Sequence, residues 1–323
     1  MPSDMPRDVV LVVTEADDPH ADLVIDELTR RGRVRVARLD PGDFPHTVTM
    51  AAELDRTTGH WRGSMATATR EVELREVTAV YWRRPSPYQF ASLADGDAEF
   101  AAAQAHAGFA GVLTSLFGAT YVNHPHRNRR ADDKPAQLTA AADLGFHVPP
   151  TLITSDPAAA RDFTDNQAPV VFKPLHLTDT RRDGRPVALW TQRVEPDDID
   201  ATVAGTAHLF QAEVVDKIAD LRVTVVGDQV FCVRIESGLL DWRSDYDALT
   251  YQAIDPPPGM ADRLHAYLSR FGLTFGCFDF AVAPDGVAWF LECNPNGQWA
   301  WLEEHTGAPM TAAFADVLEG TDD

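Results

Sequence analysis

The sequence predicts an α/β chain, α+β in parts, whose N-terminal portion is an open α/β sheet. A fully apolar run, Val9-Val10-Leu11-Val12-Val13, suits a parallel strand buried on both faces. An amphipathic helix from His20 to Arg31 follows, and an alternating strand from Arg33 to Leu39 completes a βαβ opening. The far end of the chain is instead strand-dense and closes on an apolar hairpin.

The elements follow in order. Thr47 to Leu54 and Trp61 to Met65, joined by the turn-rich Asp55 to His60, predict a hairpin inserted before the next core strand, Val77 to Trp82. An Ala-rich helix is expected from Asp97 to Phe117, and Tyr121-Val122-Asn123 closes the first portion. A helix through Ala136 to Leu144 stops at Gly145, a strand over Thr151 to Thr154 precedes a helix over Pro157 to Phe163, and Pro169 to Pro174 is a strand presenting Lys173. Leu177 to Pro186 is polar and contains Asp183-Gly184, the mark of a flexible loop or hairpin tip, with a return through Val187 to Gln192. Strands are expected at Ala207 to Val215, Leu221 to Val226 and Val230 to Ile235, the last two around Gly227-Asp228. A helix over Met260 to Phe271 leads to the final hairpin, Phe275 to Ala283 and Val287 to Asn294 around Pro284-Asp285-Gly286. The acidic C-terminal tail is too short to matter, and no internal repeat is present.

At about 150 residues per domain, 323 residues suggest two or three. The 49 acidic residues against 28 basic ones leave a net charge of −21, which repels nucleic acid and anionic membranes alike. Of those 28 cations, 25 are Arg and only Lys134, Lys173 and Lys217 are Lys, so a compact ammonium is expected to be needed where Lys was kept. Cys232, Cys277 and Cys293 sit in apolar stretches and read as reduced core thiols. Met1 to Asp8 lacks a signal-peptide core and no apolar stretch approaches a membrane span, so a cytoplasmic protein is expected.

The chemistry concentrates on the final hairpin. Asp279 lies between Phe278 and Phe280, and Glu292 between Leu291 and Cys293, while Glu292 and Asn294 share one strand face. Facing solvent or capping a turn is the plain alternative for each residue alone. Carboxylates inside apolar strands, however, require a cation or donors, and these oxygens suit Mg²⁺.

With Asp279, the run Glu292-Cys293-Asn294-Pro295-Asn296-Gly297, Lys134, Lys173 and the stretch Asp220 to Gly227 on the page, the chain resembles the ATP-grasp ligases over nearly its whole length. The resemblance implies an N-terminal domain over 1–123, a central lobe over 124–205 and a C-terminal lobe over 206–323, with ATP clasped between the second and third. It implies that Lys134 and Lys173 hold the ATP phosphates, and that Gln211, Glu213 and Val215 belong to the adenine-reading segment. Asp220 would receive the ribose, Arg222 would meet the transferring phosphoryl group, and Asp279, Glu292 and Asn294 would hold magnesium. It further implies activation of a carboxylate as an acyl phosphate with release of ADP. Lys217 reads instead as a solvated loop cation, and His124 and His126 as loop residues.

Tyr81-Trp82-Arg83-Arg84-Pro85, Asp241-Trp242-Arg243 and Asn294 to Trp299 are similar to the branch that matures ribosomal peptides, the graspetide or microviridin type. That resemblance implies a precursor peptide as partner, ω-ester or ω-amide macrocycles as products, and a homodimer. Arg243 and Arg222 would lie near the substrate carboxylate, and Arg83, Arg84, Trp242 and Trp299 would line the peptide site, plain packing being the alternative for the tryptophans. Asp197 and Asp198 are a candidate leader dock, although acids favoured by the dipole at a helix N-terminus are the plainer reading. Two other readings stay open: a ligase adding free amino acids to a peptide or protein terminus, and a non-catalytic ATP-binding subunit.

Overall fold

The structure, a computed structural model, describes residues 8–67, 69–176, 181–182, 185–186, 190–245 and 249–320. Four expectations fall partly or wholly outside them: the N-terminal segment, the loop and return over 177–189, and the terminal tail.

The βαβ opening forms as expected. Strand β1 (Val9–Val13) is wholly buried, α1 (Pro19–Arg31) is capped by the Asp18 carboxylate, and β2 (Arg35–Leu39) pairs parallel to β1. The inserted hairpin, β3 (Thr49–Leu54) and β4 (Trp61–Ala66), gains a short third strand, β5 (Glu71–Glu73). Strand β6 (Val77–Trp82) returns beside β1. The Ala-rich helix is shorter than expected: α2 (Asp95–Ala105) passes through a π turn at His106–Ala110 into the three-residue α3 (Gly111–Leu113). Phe117 lies beyond it, 75% exposed and stacked on His60. Strand β7 (Thr120–Val122) completes a four-stranded sheet ordered β2-β1-β6-β7, in which every pairing is parallel.

Two helices, α4 (Pro125–Ala131) and α5 (Lys134–Asp143), lead to β8 (Thr151–Thr154), α6 (Pro157–Gln167) and β9 (Val170–Lys173). The short pair β10 (Arg181–Arg182) and β11 (Arg185–Pro186) is the hairpin expected around Asp183-Gly184. With β12 (Gln192–Val194) and β13 (His208–Ala212), β8 and β9 form a second sheet ordered β12-β9-β13-β8.

The last lobe is a five-stranded antiparallel sheet ordered β16-β15-β14-β17-β18. It comprises β14 (Ala219–Val226), β15 (Gln229–Glu236), β16 (Thr250–Ile254), β17 (Phe275–Val282) and β18 (Ala288–Asn294), with α7 (Met260–Phe271) before the final hairpin. Strand β16 and two C-terminal helices, α8 (Ala300–Thr306) and α9 (Met310–Glu319), are additions to the sequence reading. One face of the sheet packs under α7 through Leu264, Tyr267, Phe278 and Phe290. Another core joins Val10, Val24 and Leu28 to Phe275, Trp299 and Phe314, so the first and last elements share buried surface. Among the described residues, no helix is long and apolar enough to cross a membrane.

Candidate active site

The site is built on the strand register. Arg222 on β14 pairs with Asp279 on β17, and Asp279 pairs with Glu292 on β18. Directly opposed residues project to the same side of a sheet, so one cation and two carboxylates form a row. A register shift between Asp279 and Phe280 lodges an extra residue in β18, a bulge of the kind that re-aims side chains. Asn294 lies two residues beyond Glu292; its amide is 3.3 Å from Asp279 Oδ2 and 3.4 Å from Glu292 Oε1.

Cations converge on this row. Arg222 donates to Asp279 at 2.7 Å and to the Gln298 carbonyl at 3.0 Å. Lys134 donates to Glu292 Oε2 at 2.6 Å, and Arg243 to Glu292 Oε1 at 3.1 Å. Lys134 reaches Glu292 because Gln137, one turn along α5, clamps the helix to β18 by donating to the Cys293 carbonyl at 2.7 Å and accepting from its amide at 3.1 Å. Burial pushes the Glu292 carboxyl up, but Lys134 and Arg243 outweigh it and hold it below the usual carboxylate range. At Asp279 burial and the neighbouring Glu292 raise the carboxyl against the pull of Arg222 and Arg243.

Lys134, Arg243, Asp279, Glu292 and Asn294 line a cavity of about 300 Å³ between the second and third sheets, which also takes in Lys173, Gln211 to Val214, Lys217, Asp220 and Asp241. Lys173 donates to Gln211 Oε1 at 2.8 Å, and burial pushes its ammonium down to about 8. Arg243 forks onto Asp241 with two bonds of 2.9 Å. Burial raises Asp220 to about 6, opposed by Lys217, whose ammonium sits 2.8 and 3.0 Å from its two oxygens.

Among the described residues, no three His, Cys, Asp or Glu side chains group as a metal site. The donor set here is two carboxylates and an amide, and Asp279 Oδ1 is buried without a partner among the described residues. An oxygen-only set with one uncommitted carboxylate oxygen fits a hard cation such as Mg²⁺.

The MvdD pre-ATP grasp domain family matches residues 9–129. Among solved structures, macrocyclase MdnB from Microcystis aeruginosa MRC is 30% identical, covering 96% of this chain and 99% of that one with a TM-score of 0.80. The chain belongs to the ATP-grasp macrocyclases. Macrocyclase MdnC from the same organism, solved with precursor peptide MdnA, is 26% identical over 97% of this chain and 99% of its own, with a TM-score of 0.85. A RiPP-associated ATP-grasp ligase from Chryseobacterium gregarium, in complex with ADP and a leader and core peptide, shares the fold at a TM-score of 0.89 and 24% identity, covering 98% of each chain. No curated protein matches the sequence.

In this macrocyclase-family chain, the expected Lys134, Lys173, Gln211, Glu213, Asp220, Trp242, Arg243, Asp279, Glu292 and Asn294 all line the one cavity, with Arg222 behind Asp279. Other expectations need correction. Val215 is 48% exposed and lies outside the cavity lining, because β13 ends at Ala212. The Glu213 carboxylate is engaged by Arg193 in two bonds of 2.6 and 2.7 Å. Lys217 is caged by Asp220 and the Leu240 carbonyl, and is not a solvated loop cation.

Arg83 is 2% exposed and structural: it bonds Asp18 at 3.2 Å, Asn296 Oδ1 at 3.0 Å and the Gly297 carbonyl at 3.3 Å. It cannot line a peptide site, whereas Arg84 beside it is exposed but away from the cavity. Trp299 is fully buried, stacked on Phe314 at 4.7 Å, and is core. Trp242 is 6% exposed, packs on Trp301 at 5.4 Å and forms part of the cavity wall. Asp197 and Asp198 lie on a 3₁₀ turn where Asp198 accepts from the Glu195 amide at 2.8 Å, which is the local capping reading.

Sequence reasoning missed Gln137 and Asn123. The Asn123 amide donates to the Phe275 and Pro295 carbonyls at 2.8 and 2.7 Å and accepts from the Thr274 and Phe275 amides, fastening the first sheet's end to the final hairpin. The Lys134-x-x-Gln137 spacing on one helix face was the available signal for Gln137.

Proposed function

We propose that this protein is an ADP-forming ligase that activates Asp or Glu side-chain carboxylates of a ribosomal precursor peptide as acyl phosphates. It then joins them to Ser or Thr hydroxyls or Lys amines, closing ω-ester or ω-amide macrocycles. The observation that supports this most is the meeting of two lysines, one arginine, two carboxylates and an amide at one cavity, with a second arginine behind Asp279, in a chain akin to macrocyclases.

Lys134 and Lys173 would grip the ATP phosphates as point charges, the backbone from Gln211 to Val214 would receive adenine, and Asp220, steadied by Lys217, would accept the ribose hydroxyls. Asp279, Glu292 and Asn294 would hold magnesium through oxygen, and that ion supplies charge neutralisation at the phosphates. Arg243, fixed by Asp241, would orient the substrate carboxylate, and Arg222 would stabilise charge on the transferring phosphoryl group. A carboxylate oxygen bonds the γ-phosphorus as the bond to ADP breaks; the acceptor then bonds the acyl carbon and phosphate leaves.

The test is incubation with ATP, magnesium and the precursor peptide encoded beside the gene, read by mass spectrometry and ADP release. Loss of one water per ring with one ADP per water is expected. A mass gain of an amino acid residue would assign an amino-acid ligase instead, and no peptide-dependent ADP release would assign a non-catalytic subunit.

A further inference from the structure

Ring closure requires the acceptor hydroxyl or amine to lose a proton, and the roles assigned above provide no group to take it. The carboxylates of the cavity are almost all committed to cations. Asp220 is held by Lys217 at 2.8 Å, Asp241 by Arg243 at 2.9 Å, and Glu213 by Arg193 at 2.6 Å. Asp279 is held by Arg222 at 2.7 Å, and Glu292 by Lys134 at 2.6 Å. A carboxylate engaged by a cation has fewer lone pairs open to an incoming proton, even where burial raises it, as at Asp220.

Asp132 is the exception. It lines the same cavity as Lys134, Lys173 and Glu292, and among the described residues its carboxylate has no hydrogen-bond or ion-pair partner. Its backbone is nonetheless fixed, because its amide closes the last turn of α4 by donating to the Asn128 carbonyl at 2.9 Å. His176, on the segment after β9, lines the cavity too and acts on Asp132 electrostatically. Asp132 is itself exposed, and the protein packed around it raises its carboxyl; His176 and Lys134 pull it down, and Asp133 and Glu292 push it further up. The net rise makes it a stronger base than an ordinary carboxylate.

Resting on the function proposed above, we propose that Asp132 is the general base of the second step, taking the acceptor proton as the ring closes. The acceptor oxygen or nitrogen bonds the acyl carbon, the carbon–oxygen bond to phosphate breaks, phosphate leaves with the electron pair, and the proton ends on Asp132.

Hydroxylamine separates the two steps, since it captures an acyl phosphate as a hydroxamate without needing an enzymic base. Wild-type protein and Asp132→Asn are each incubated with ATP, magnesium, precursor peptide and hydroxylamine, and macrocycle and peptide hydroxamate are quantified by mass spectrometry. The expected result for Asp132→Asn is a fall in the ratio of macrocycle to hydroxamate of about 10²-fold or more, the usual scale of general-base catalysis. Asp132→Glu is expected to restore part of the ratio. An unchanged ratio in Asp132→Asn overturns the assignment, as does loss of both products while nucleotide binding, followed by thermal shift with ADP, persists. If instead the wild-type protein gives no hydroxamate, the underlying acyl-phosphate reading fails, whatever Asp132 does. Should Asp132→Asn not fold, Asp132→Ser is read in the same way.

Discussion

Lys134 Nζ lies 2.6 Å from Glu292 Oε2, so the cation proposed for phosphate and the carboxylate proposed for magnesium are partners. Lys134 helps hold the Glu292 carboxyl below the usual carboxylate range, and binding of a magnesium nucleotide would exchange one pairing for another of similar charge. Glu292→Gln is expected to raise the magnesium concentration for half-maximal ADP release by at least about tenfold, a loss typical even of residues behind the metal ligands. Titrating magnesium at saturating ATP measures it; an unaltered midpoint would remove Glu292 from the metal set.

Lys173 carries a pH prediction. Burial lowers its ammonium to about 8, so the charge proposed to grip phosphate is complete well below that pH and is lost as pH rises through it. The value of kcat/KM for ATP reports the free protein and is expected to fall above about pH 8, with kcat less affected because bound phosphate restores the charge. Lys173→Arg, which stays protonated, is expected to abolish that limb of the profile even if its absolute rate is lower.

The Arg83 and Asp18 pair predicts a large difference between two adjacent arginines. Both members of the pair are 1% exposed in their side chains, and Arg83 additionally holds Asn296 and Gly297. Arg83→Met leaves a buried carboxylate uncompensated and is expected to cost about 3–5 kcal/mol in urea unfolding. Arg84→Ala, at an exposed position, is expected to stay within about 0.5 kcal/mol.

Gly297 has no room for a methyl group. A Cβ there would stand 2.6 Å from Cys277 Cβ and 3.0 Å from Arg222 Nη2. Gly297→Ala is therefore expected to destabilise the fold by about 1–3 kcal/mol and to displace the Arg222 guanidinium. Peptide-dependent ADP release should fall by more than the stability loss explains, and equal losses in the two measurements would show that the guanidinium keeps its place.

What could be read from the sequence was local chemistry set against local pattern. Asp279 between two phenylalanines and Glu292 beside Cys293 stand out because alternation and apolarity define a strand, and a carboxylate inside one demands a partner. The partners themselves were hidden where they came from distant elements. Arg83, just past β6, was expected to line the peptide site, because nothing near it in sequence reveals that Asp18 and Asn296 close over it. Trp299 has the same composition whether it lines a groove or fills a core, and Phe314, fifteen positions on, decides. For Lys217 the three-residue spacing to Asp220 was visible, but whether the turn folds the ammonium back depends on the Leu240 carbonyl, twenty-three positions away.

The core shared by the chain's two ends bears on how such proteins diversify. Val10, Ala21 and Leu28 pack with Met310, Phe314 and Leu318, and Arg31 bonds both Asp316 and Glu319 across the same seam. A chimera spliced at a single point after β7 would pair an N-terminal half from one parent with C-terminal helices from the other, leaving two mismatched half-cores. Recombination between relatives should therefore succeed when α8 and α9 travel with the first 122 residues, as a discontinuous module exchanged in two pieces.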